Sequence, residues 1–368
     1  MSHFFFASGL IFRHKGPVLI ISKPTLRDVA KAAGVAITTV SSILNNRSDS
    51  WASEKTRIRV LAAAKELGYQ PNQAARGLRL RRYNTIGALF SDLSNPFYAM
   101  LVRFLQQAFD QNGFTLIVEE GVFDADREAK CLASLVSRQI DGLVCSGLNY
   151  QSHGEALDRI NLQMPVLVIG GTESFKGMDT VESDFRSSLF HAVDYLKSLG
   201  HERISYINAY PTERDLGRRT EHFYEALKKY GLAIGSGSYL NCDHYALGHL
   251  RETSREWLKA FPAGKRPTAL ICMNDLTAIG VSRGILDLPL RIPQDISLIG
   301  IDNVEVAAYL PFPLTTIAQP MQELASFCAT RLVERIADNK RPDPVHRVLP
   351  TRLIIRESTG PAPVEQGG

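Results

Sequence analysis

The N-terminal segment 25–46 constrains the fold more than any other part of the chain. Its first apolar residues recur at the i, i+3, i+4 and i+7 spacing of a buried helix face. Thr25 and Asp28 form a pattern that begins a helix, and Gly34 supplies the left-handed residue that ends one. The segment therefore predicts a short helix whose buried face consists of Leu26, Val29, Ala30 and Ala33.

A second short helix follows the glycine turn. Val40, Ile43 and Leu44 share its inner side, and its outer side carries Ile37, Thr38, Ser41 and Ser42. A third helix is expected from about 53 to 68, with Val60, Ala64 and Leu67 facing inward. This is the layout of a helix-turn-helix, whose second helix enters the DNA major groove. Two helices of an unrelated globular domain are the alternative, and the neighbouring segments argue against it.

Charge is divided unevenly along the 368 residues. Residues 1–82 contain 14 Lys and Arg against 4 Asp and Glu, whereas the remainder contains 28 basic and 34 acidic residues. The head is therefore net +10 and the body net −6. A basic head at the site of a helix-turn-helix favours binding to phosphates.

Length and cysteine content limit the class of protein. A chain of 368 residues is expected to form two or three domains. Its five cysteines contain no CxxC pair, so we expect buried thiols in a reducing compartment, no metal site and no cofactor. Residues 1–22 fit neither a signal peptide nor a membrane span. We expect them to be a disordered extension or the result of a start codon assigned too far upstream, and we expect a cytoplasmic protein.

A basic segment separates the head from the body. Residues 73–82 are short, rich in arginine and interrupted by Gly77, so an isolated helix there is marginal. The segment is expected to remain disordered until something orders it. A solvated interdomain linker is the open alternative.

The body alternates between apolar runs and amphipathic stretches. This pattern predicts parallel sheets covered by helices on both faces, and its restart after Asp184 predicts two such lobes. Ligands of such folds bind outside the carboxyl ends of the strands, often between lobes. The predicted strands are 86–90, 115–118, 142–145, 166–169, 204–207, 269–272 and 296–301.

Across residues 23–360 the chain resembles the lactose-repressor/galactose-repressor (LacI/GalR) family of bacterial transcription regulators. The motifs that carry the resemblance are TLRDVA at 25, GVA at 34, TVS at 39, LGYQPN at 67, IG at 86, NPFY at 95, GH at 200, ND at 274, IGIDN at 299 and PLTTI at 313. The resemblance implies an α/β protein with an N-terminal all-α helix-turn-helix headpiece. It also implies a periplasmic-binding-protein-like core of two doubly wound parallel-sheet subdomains, which dimerises and binds a small effector.

The resemblance also implies the residues that contact DNA. Ile37, Thr38 and Ser42 occupy base-reading positions, and the family often has arginine where this chain has Ser42. Leu78 corresponds to a leucine that inserts into the minor groove and unstacks one base step. The cost is offset because the bent DNA contacts more of the protein surface. The full set of implied DNA contacts is Thr25, Ile37, Thr38, Thr39, Ser41, Ser42, Asn45, Asn72, Ala75, Arg76, Leu78 and Arg79.

The implied effector is a sugar, a sugar derivative, a nucleobase or a nucleoside. Phe97 and Tyr98 match aromatic pocket positions, with packing of a helix N-terminus on the sheet as the alternative. Asp302 matches a polar ligand contact, with capping of the following turn as the alternative. The full set of implied effector contacts is Ser91, Phe97, Tyr98, Asp184, Arg219, Asn274, Asp302 and Gln319.

The resemblance sets the expected domain boundaries and assembly. It predicts a homodimer that contacts its partner around residues 97–109 and binds double-stranded operator DNA, most simply as a repressor. Effector binding is expected to switch the core between two arrangements of its lobes. The expected segments are an extension at 1–22, a headpiece at 23–69, a hinge at 70–83 and a core at 84–368, divided into one lobe of 84–183 and 318–345 and another of 184–317 and 346–360.

Two other classes of protein compete with this interpretation. A solute-binding protein of a transport system shares the core fold, but residues 25–82 argue against it. An enzyme is not expected, because the sequence contains no GxxxxGK[ST], HExxH or GxSxG motif.

Overall fold

A computed structural model of the protein describes residues 24–44, 52–70, 82–148, 150–170, 175, 177–209, 217–235, 237–262, 264–338 and 343–364. Contacts divide the chain into two compact units, a head that ends at Arg81 and a core that begins at Arg82. The core unit therefore begins at Arg82, two residues before the expected start of the core at residue 84. Tyr83 is held in the core because its backbone N–H donates to the Asp141 carboxylate at 2.9 Å.

The described part of the head contains three helices, α1 (Leu26–Ala33), α2 (Ile37–Leu44) and α3 (Glu54–Glu66). Thr25 and Asp28 form the predicted capping box at the start of α1. Gly34 ends α1 with φ +62°, a conformation that glycine adopts without the steric penalty of a side chain. Ser53 caps α3.

The three helices enclose a small apolar core. It contains Val29, Ala30, Ala33, Val40, Ile43, Val60, Ala63 and Ala64, and Leu26, Leu44 and Tyr69 pack against it. The predicted inward faces of the first two helices are therefore confirmed. The prediction for Leu67 is wrong, because α3 ends at Glu66 and Leu67 is exposed in the turn that follows.

The core consists of two lobes, each built on a six-stranded sheet. In the first sheet the strands are ordered β11-β5-β4-β3-β1-β2, and all neighbouring pairs are parallel. These strands are β1 (Thr85–Phe90), β2 (Thr115–Glu120), β3 (Gly142–Ser146), β4 (Val166–Ile169), β5 (Asp179–Ser183) and β11 (His346–Leu349). The helices of this lobe are α4 (Pro96–Gln111), α5 (Ala125–Ser137), α6 (Tyr150–Gln163) and α11 (Met321–Ala337).

The second sheet repeats this order as β12-β10-β9-β8-β6-β7, and only β12 runs antiparallel to its neighbour. Its strands are β6 (Ile204–Asn208), β7 (Tyr239–Asn241), β8 (Ala269–Cys272), β9 (Ser297–Asp302), β10 (Thr315–Ala318) and β12 (Arg352–Ile354). Its helices are α7 (Phe185–Ser198), α8 (Gly217–Lys229), α9 (Leu247–Lys259) and α10 (Asp275–Leu286). The two doubly wound sheets confirm the predicted fold class.

The chain crosses between the lobes three times, after Ser183, after Ala318 and between Leu349 and Arg352. The predicted boundary at residue 346 is wrong, because β11 pairs with β5 in the first sheet. The sequence did not reveal this, since the first three residues of β11 are exposed and carry no buried apolar pattern. Among the described residues, no helix is long and apolar enough to cross a membrane.

Candidate ligand cleft and DNA-binding head

Both sheets reverse their strand order at one point, and ligands of doubly wound folds bind outside the carboxyl ends of the strands at such points. The reversal lies between β1 and β3 in the first sheet and between β6 and β8 in the second. Ser91 directly follows β1, and Asn274 follows β8 by two residues. The topology therefore places predicted effector residues of both lobes at these points.

In the first lobe, Ser91 and Tyr98 lie together. A Cβ added to Gly147 would come within 2.3 Å of the Ser91 Oγ and 3.0 Å of the Tyr98 hydroxyl, so a glycine is needed beside them. The Tyr98 ring lies 5.6 Å from Phe90 and 5.0 Å from Phe97. Phe97 itself is buried in the core of this lobe, which agrees with the packing alternative for this residue.

In the second lobe, Arg219 is held in a fixed orientation. Its guanidinium carbon lies 3.7 Å from the centroid of the Phe185 ring, a cation–π distance. Its Nη1 donates to the backbone carbonyl of Met273 at 2.9 Å, just beyond the end of β8. Phe185 was not predicted, because residues 34 positions apart show no relation in the sequence.

Asp302 and Gln319 form a linked polar pair. Gln319 Nε2 donates to Asp302 Oδ1 at 2.6 Å, and Gln319 Oε1 accepts from the Ser183 hydroxyl at 2.8 Å. Gln319 follows β10 at a crossing between lobes, and Ser183 ends β5 of the first sheet. The pair therefore connects the end of β9 to the other lobe. Asp302 adopts φ +113°, which is rare for a residue with a side chain.

The ionisation of Asp302 is perturbed. Burial raises its pKa well above the ordinary value and the nearby Asp275 carboxylate raises it further, whereas Arg219 and the hydrogen bond from Gln319 oppose the rise. Burial likewise raises the pKa of Asp275 from 3.8 to about 7. Asp275 accepts from the Thr316 hydroxyl at 2.5 Å and from the Val304 backbone N–H at 2.8 Å. Perturbed carboxylates in a cleft are typical of ligand sites.

Two predicted effector residues have structural roles in the described fold. Asp184 caps α7, since its carboxylate accepts from the Ser187 backbone N–H at 2.9 Å and from the Ser187 hydroxyl at 2.6 Å. Asn274 caps α10 by accepting from the Thr277 N–H at 2.7 Å. The structure brings together Arg219, Asp302 and Gln319, with Asn274 at the neighbouring strand end.

In the head, the outer face of α2 presents the predicted side chains. Ile37 is 43% exposed although it is apolar, Thr38 is exposed, and Thr39, Ser41 and Ser42 are half-buried. The Thr25 hydroxyl donates to the Asp28 carboxylate at 2.7 Å, so it also serves the helix cap. The predicted contacts Asn45, Asn72, Ala75, Arg76, Leu78 and Arg79 lie outside the described residues.

A helix-turn-helix head, followed by a two-lobed core whose polar side chains gather at the ends of the strands, defines a class. These are the DNA-binding regulators that respond to a small ligand. Comparison with known proteins agrees. Residues 25–72 match the family described as bacterial regulatory proteins, lacI family, and residues 193–359 match the periplasmic binding protein-like domain. The HTH-type transcriptional regulator DegA of Bacillus subtilis is 32% identical over 92% of this chain and 99% of its own length.

The chain therefore belongs to the lacI family of bacterial regulatory proteins. The Lac repressor dimer bound to operator and the anti-inducer ONPF is similar in structure, with a TM-score of 0.80, 25% identity and coverage of 92% of this chain and 99% of its own. A LacI family regulator from Enterococcus faecium with bound ribose has a TM-score of 0.64 at 28% identity, covering 75% of this chain and 99% of its own. These relatives are regulators, and they support neither the transport-protein alternative nor an enzyme.

Proposed function

We propose that this regulator binds operator DNA through its head as a homodimer, acts in the cytoplasm as a repressor, and is controlled by a sugar or sugar derivative bound between the lobes of its core. The observation that carries the ligand proposal is the grouping of Arg219, Asp302 and Gln319 at the carboxyl edge of the second sheet. The bound ribose in the Enterococcus faecium relative supports the same ligand class.

The chemistry of this group suits a polyhydroxylated ligand. Each sugar hydroxyl both donates and accepts a hydrogen bond, so it needs partners of both kinds. Asp302 offers carboxylate oxygens, Arg219 offers a guanidinium held over Phe185, and Gln319 offers an amide. Tyr98 contributes an aromatic ring and a hydroxyl from the opposite lobe.

Gln319 provides a route by which ligand binding can change the arrangement of the two lobes. It bridges Asp302 and Ser183, which belong to different sheets, at one of the three crossings. A ligand that contacts Asp302 competes with or strengthens this bridge, so its affinity differs between the two arrangements of the lobes. Only such a difference shifts the equilibrium, and couplings of about 1–3 kcal/mol are typical.

The test of the ligand proposal is a thermal-shift screen of the full-length protein. A ligand at 100 times its Kd stabilises the folded state by about 2.7 kcal/mol and raises the melting temperature. We expect a hit among sugars, sugar phosphates and sugar acids, and no hit among nucleobases. Arg219→Ala is expected to abolish the shift.

Arg186→Ala is the matched control. Arg186 lies in the same lobe with its guanidinium 4.8 Å from the Phe190 ring, so its replacement also removes a cation–π pair, but one that does not include Arg219, Asp302 or Gln319. The shift should survive in this variant. A hit confined to nucleobases, or one that Arg219→Ala leaves intact, would contradict the proposed ligand class or its site.

The test of the DNA proposal is selection of duplexes by the full-length protein at two salt concentrations. Binding that neutralises phosphates falls steeply as salt rises. We expect a selected operator with two half-sites, since a symmetric dimer places two α2 helices on one duplex. No preference for any duplex, with or without the ligand identified above, would contradict this part of the proposal.

A further inference from the structure

The two lobes touch through a pair of aromatic rings. The centroids of Phe123 and Tyr245 are 4.9 Å apart and their planes differ by 26°, which is a stacked geometry. Phe123 follows β2 of the first sheet, and Tyr245 follows β7 of the second. This contact therefore joins the lobes without any covalent crossing nearby.

The Phe123–Tyr245 contact lies far from the three crossings, so a small rotation of one lobe moves the two rings a long way apart. The three crossings leave from β5, β10 and the β11–β12 connection. β11 and β12 form one edge of each sheet, β5 and β10 lie next to them, and β2 and β7 form the opposite edges. Four strand spacings separate β2 from β5, or about 19 Å. At that radius a rotation of about 10° moves a ring by about 3 Å, which carries the centroids beyond the range of aromatic pairing.

The turn that presents Phe123 has an unusual backbone. Val122 and Phe123 both have positive φ, +50° and +56°, and the Asp124 N–H donates to the Gly121 carbonyl at 3.1 Å. Such a turn normally contains glycine, asparagine or aspartate, and a β-branched residue is disfavoured there. Residues with such a strained backbone conformation persist only where the surrounding structure holds them in it, and they are found most often at functional sites.

The surroundings of the turn are well anchored. The Gly121 N–H donates to the Phe90 carbonyl at 2.9 Å, and the Asp124 carboxylate caps α5 by accepting from the Arg127 N–H at 2.7 Å. A Cβ at Gly121 would meet the Glu128 side chain at 2.3 Å, so this position requires glycine. The turn is thus fixed in its own lobe and directs Phe123 at the other lobe.

We propose that Phe123 and Tyr245 form a clasp that holds the two lobes closed at the mouth of the cleft. Opening the cleft separates the rings, so the clasp favours the closed arrangement and slows the exit of a bound ligand. The effect on a ligand rests on the proposed function; the effect on the lobes does not.

The test measures the distance between the lobes in the full-length protein without ligand or DNA. All five native cysteines are buried, so spin labels attach to Lys130→Cys on α5 and Ala260→Cys at the end of α9, both exposed positions. Pulsed electron spin resonance gives the distribution, and dilution with unlabelled chain isolates distances within one chain. Phe123→Leu and Tyr245→Leu remove one ring each but keep an apolar side chain. Each is expected to raise the open population about three- to tenfold, the range of an aromatic pair.

The matched control is Tyr230→Leu, which removes an edge-on aromatic contact with Phe190 inside the second lobe at 6.4 Å, away from both labelled positions. It should leave the distance distribution unchanged. The double variant of Phe123 and Tyr245 should open the cleft no more than either single variant, because both remove the same contact.

Unchanged distances in folded Phe123→Leu and Tyr245→Leu proteins, or additive effects in the double variant, would overturn the clasp. If Phe123→Leu fails to fold, Tyr245→Leu tests the same contact from the other lobe. Since this measurement needs neither ligand nor DNA, failure of the ligand screen leaves its result intact. Failure of the clasp likewise leaves the ligand screen intact.

Discussion

Replacing Asp275 with asparagine should change how the stability of the core depends on pH. Asp275 is fully buried, and burial raises its pKa from 3.8 to about 7. Above pH 4 the unfolded chain has lost this proton while the native state keeps it, so the native state binds more protons. Stability contributed by this group is therefore complete below pH 4 and lost as the pH rises through 7.

The magnitude follows from the two pKa values. Between pH 5 and pH 8, ionisation of this one group removes roughly 2–3 kcal/mol from the free energy of unfolding. Asparagine is neutral at both pH values and has nearly the same shape. Its carbonyl can accept from the Val304 N–H, while its amide meets the Thr316 oxygen as a donor, which reverses the hydrogen bond that Thr316 donates to Asp275. In Asp275→Asn, the contribution of this site to the free energy of unfolding should therefore be nearly the same at pH 5 and pH 8.

The assay is urea unfolding of the full-length protein at pH 5 and pH 8, at one protein concentration. Tryptophan fluorescence follows the relevant lobe, since Trp257 packs against its apolar core. Asp295→Asn is the control, because Arg291 lowers the pKa of Asp295 and its contribution is lost only under acid conditions. The reasoning is refuted if Asp275→Asn and the parent protein lose the same free energy between the two pH values.

Two further predictions concern the space beside Asp275 and the DNA-reading face of the head. Gly300→Ala would place a Cβ 2.1 Å from the Asp275 Oδ1 and should destabilise the core by about 1–3 kcal/mol in the same urea assay. Its control is Gly248→Ala in α9, which has open space around it and should stabilise the core by about 0.5–1 kcal/mol. Equal effects of the two variants would contradict the packing argument. Ser42→Arg on α2 should add a guanine preference of about 1–3 kcal/mol at one operator position in a duplex selection. The control Ala62→Arg adds the same charge on the exposed side of α3 and should raise the affinity for DNA without changing the selected sequence. If Ser42→Arg selects the same sequences as the parent protein, its assignment as a base-reading position is discarded.

The sequence was sufficient for the first two helices of the head and for most of the strands inside the two sheets. The buried faces of α1 and α2, the capping box at Thr25 and the left-handed Gly34 depend on neighbours within eight positions, so local spacing determines them. Seven strands of the core were predicted. Six of them are buried and read as uninterrupted apolar runs, whereas the seventh, β2, is a half-buried edge strand that keeps a short apolar run. Local spacing did not identify the candidate ligand contacts; the family resemblance supplied Arg219, Asp302 and Gln319.

The strands at or near the sheet edges, β5, β7, β10, β11 and β12, escaped prediction. They are short and several are partly exposed, so they lack the continuous apolar run that marks a central strand. Which sheet β11 joins depends on pairing with β5 more than 160 positions away in the chain. Nothing local in the sequence encodes that choice.

The tertiary structure alone decided which side chains meet across the core. Phe185 under Arg219, the bridge from Asp302 through Gln319 to Ser183, and the stack of Phe123 on Tyr245 each join residues far apart in sequence. Residue types supply the chemistry of these contacts, but their distances depend on how two separate sheets fold and face each other. The pKa values of Asp275 and Asp302 follow from burial, which exists only after the lobes have formed.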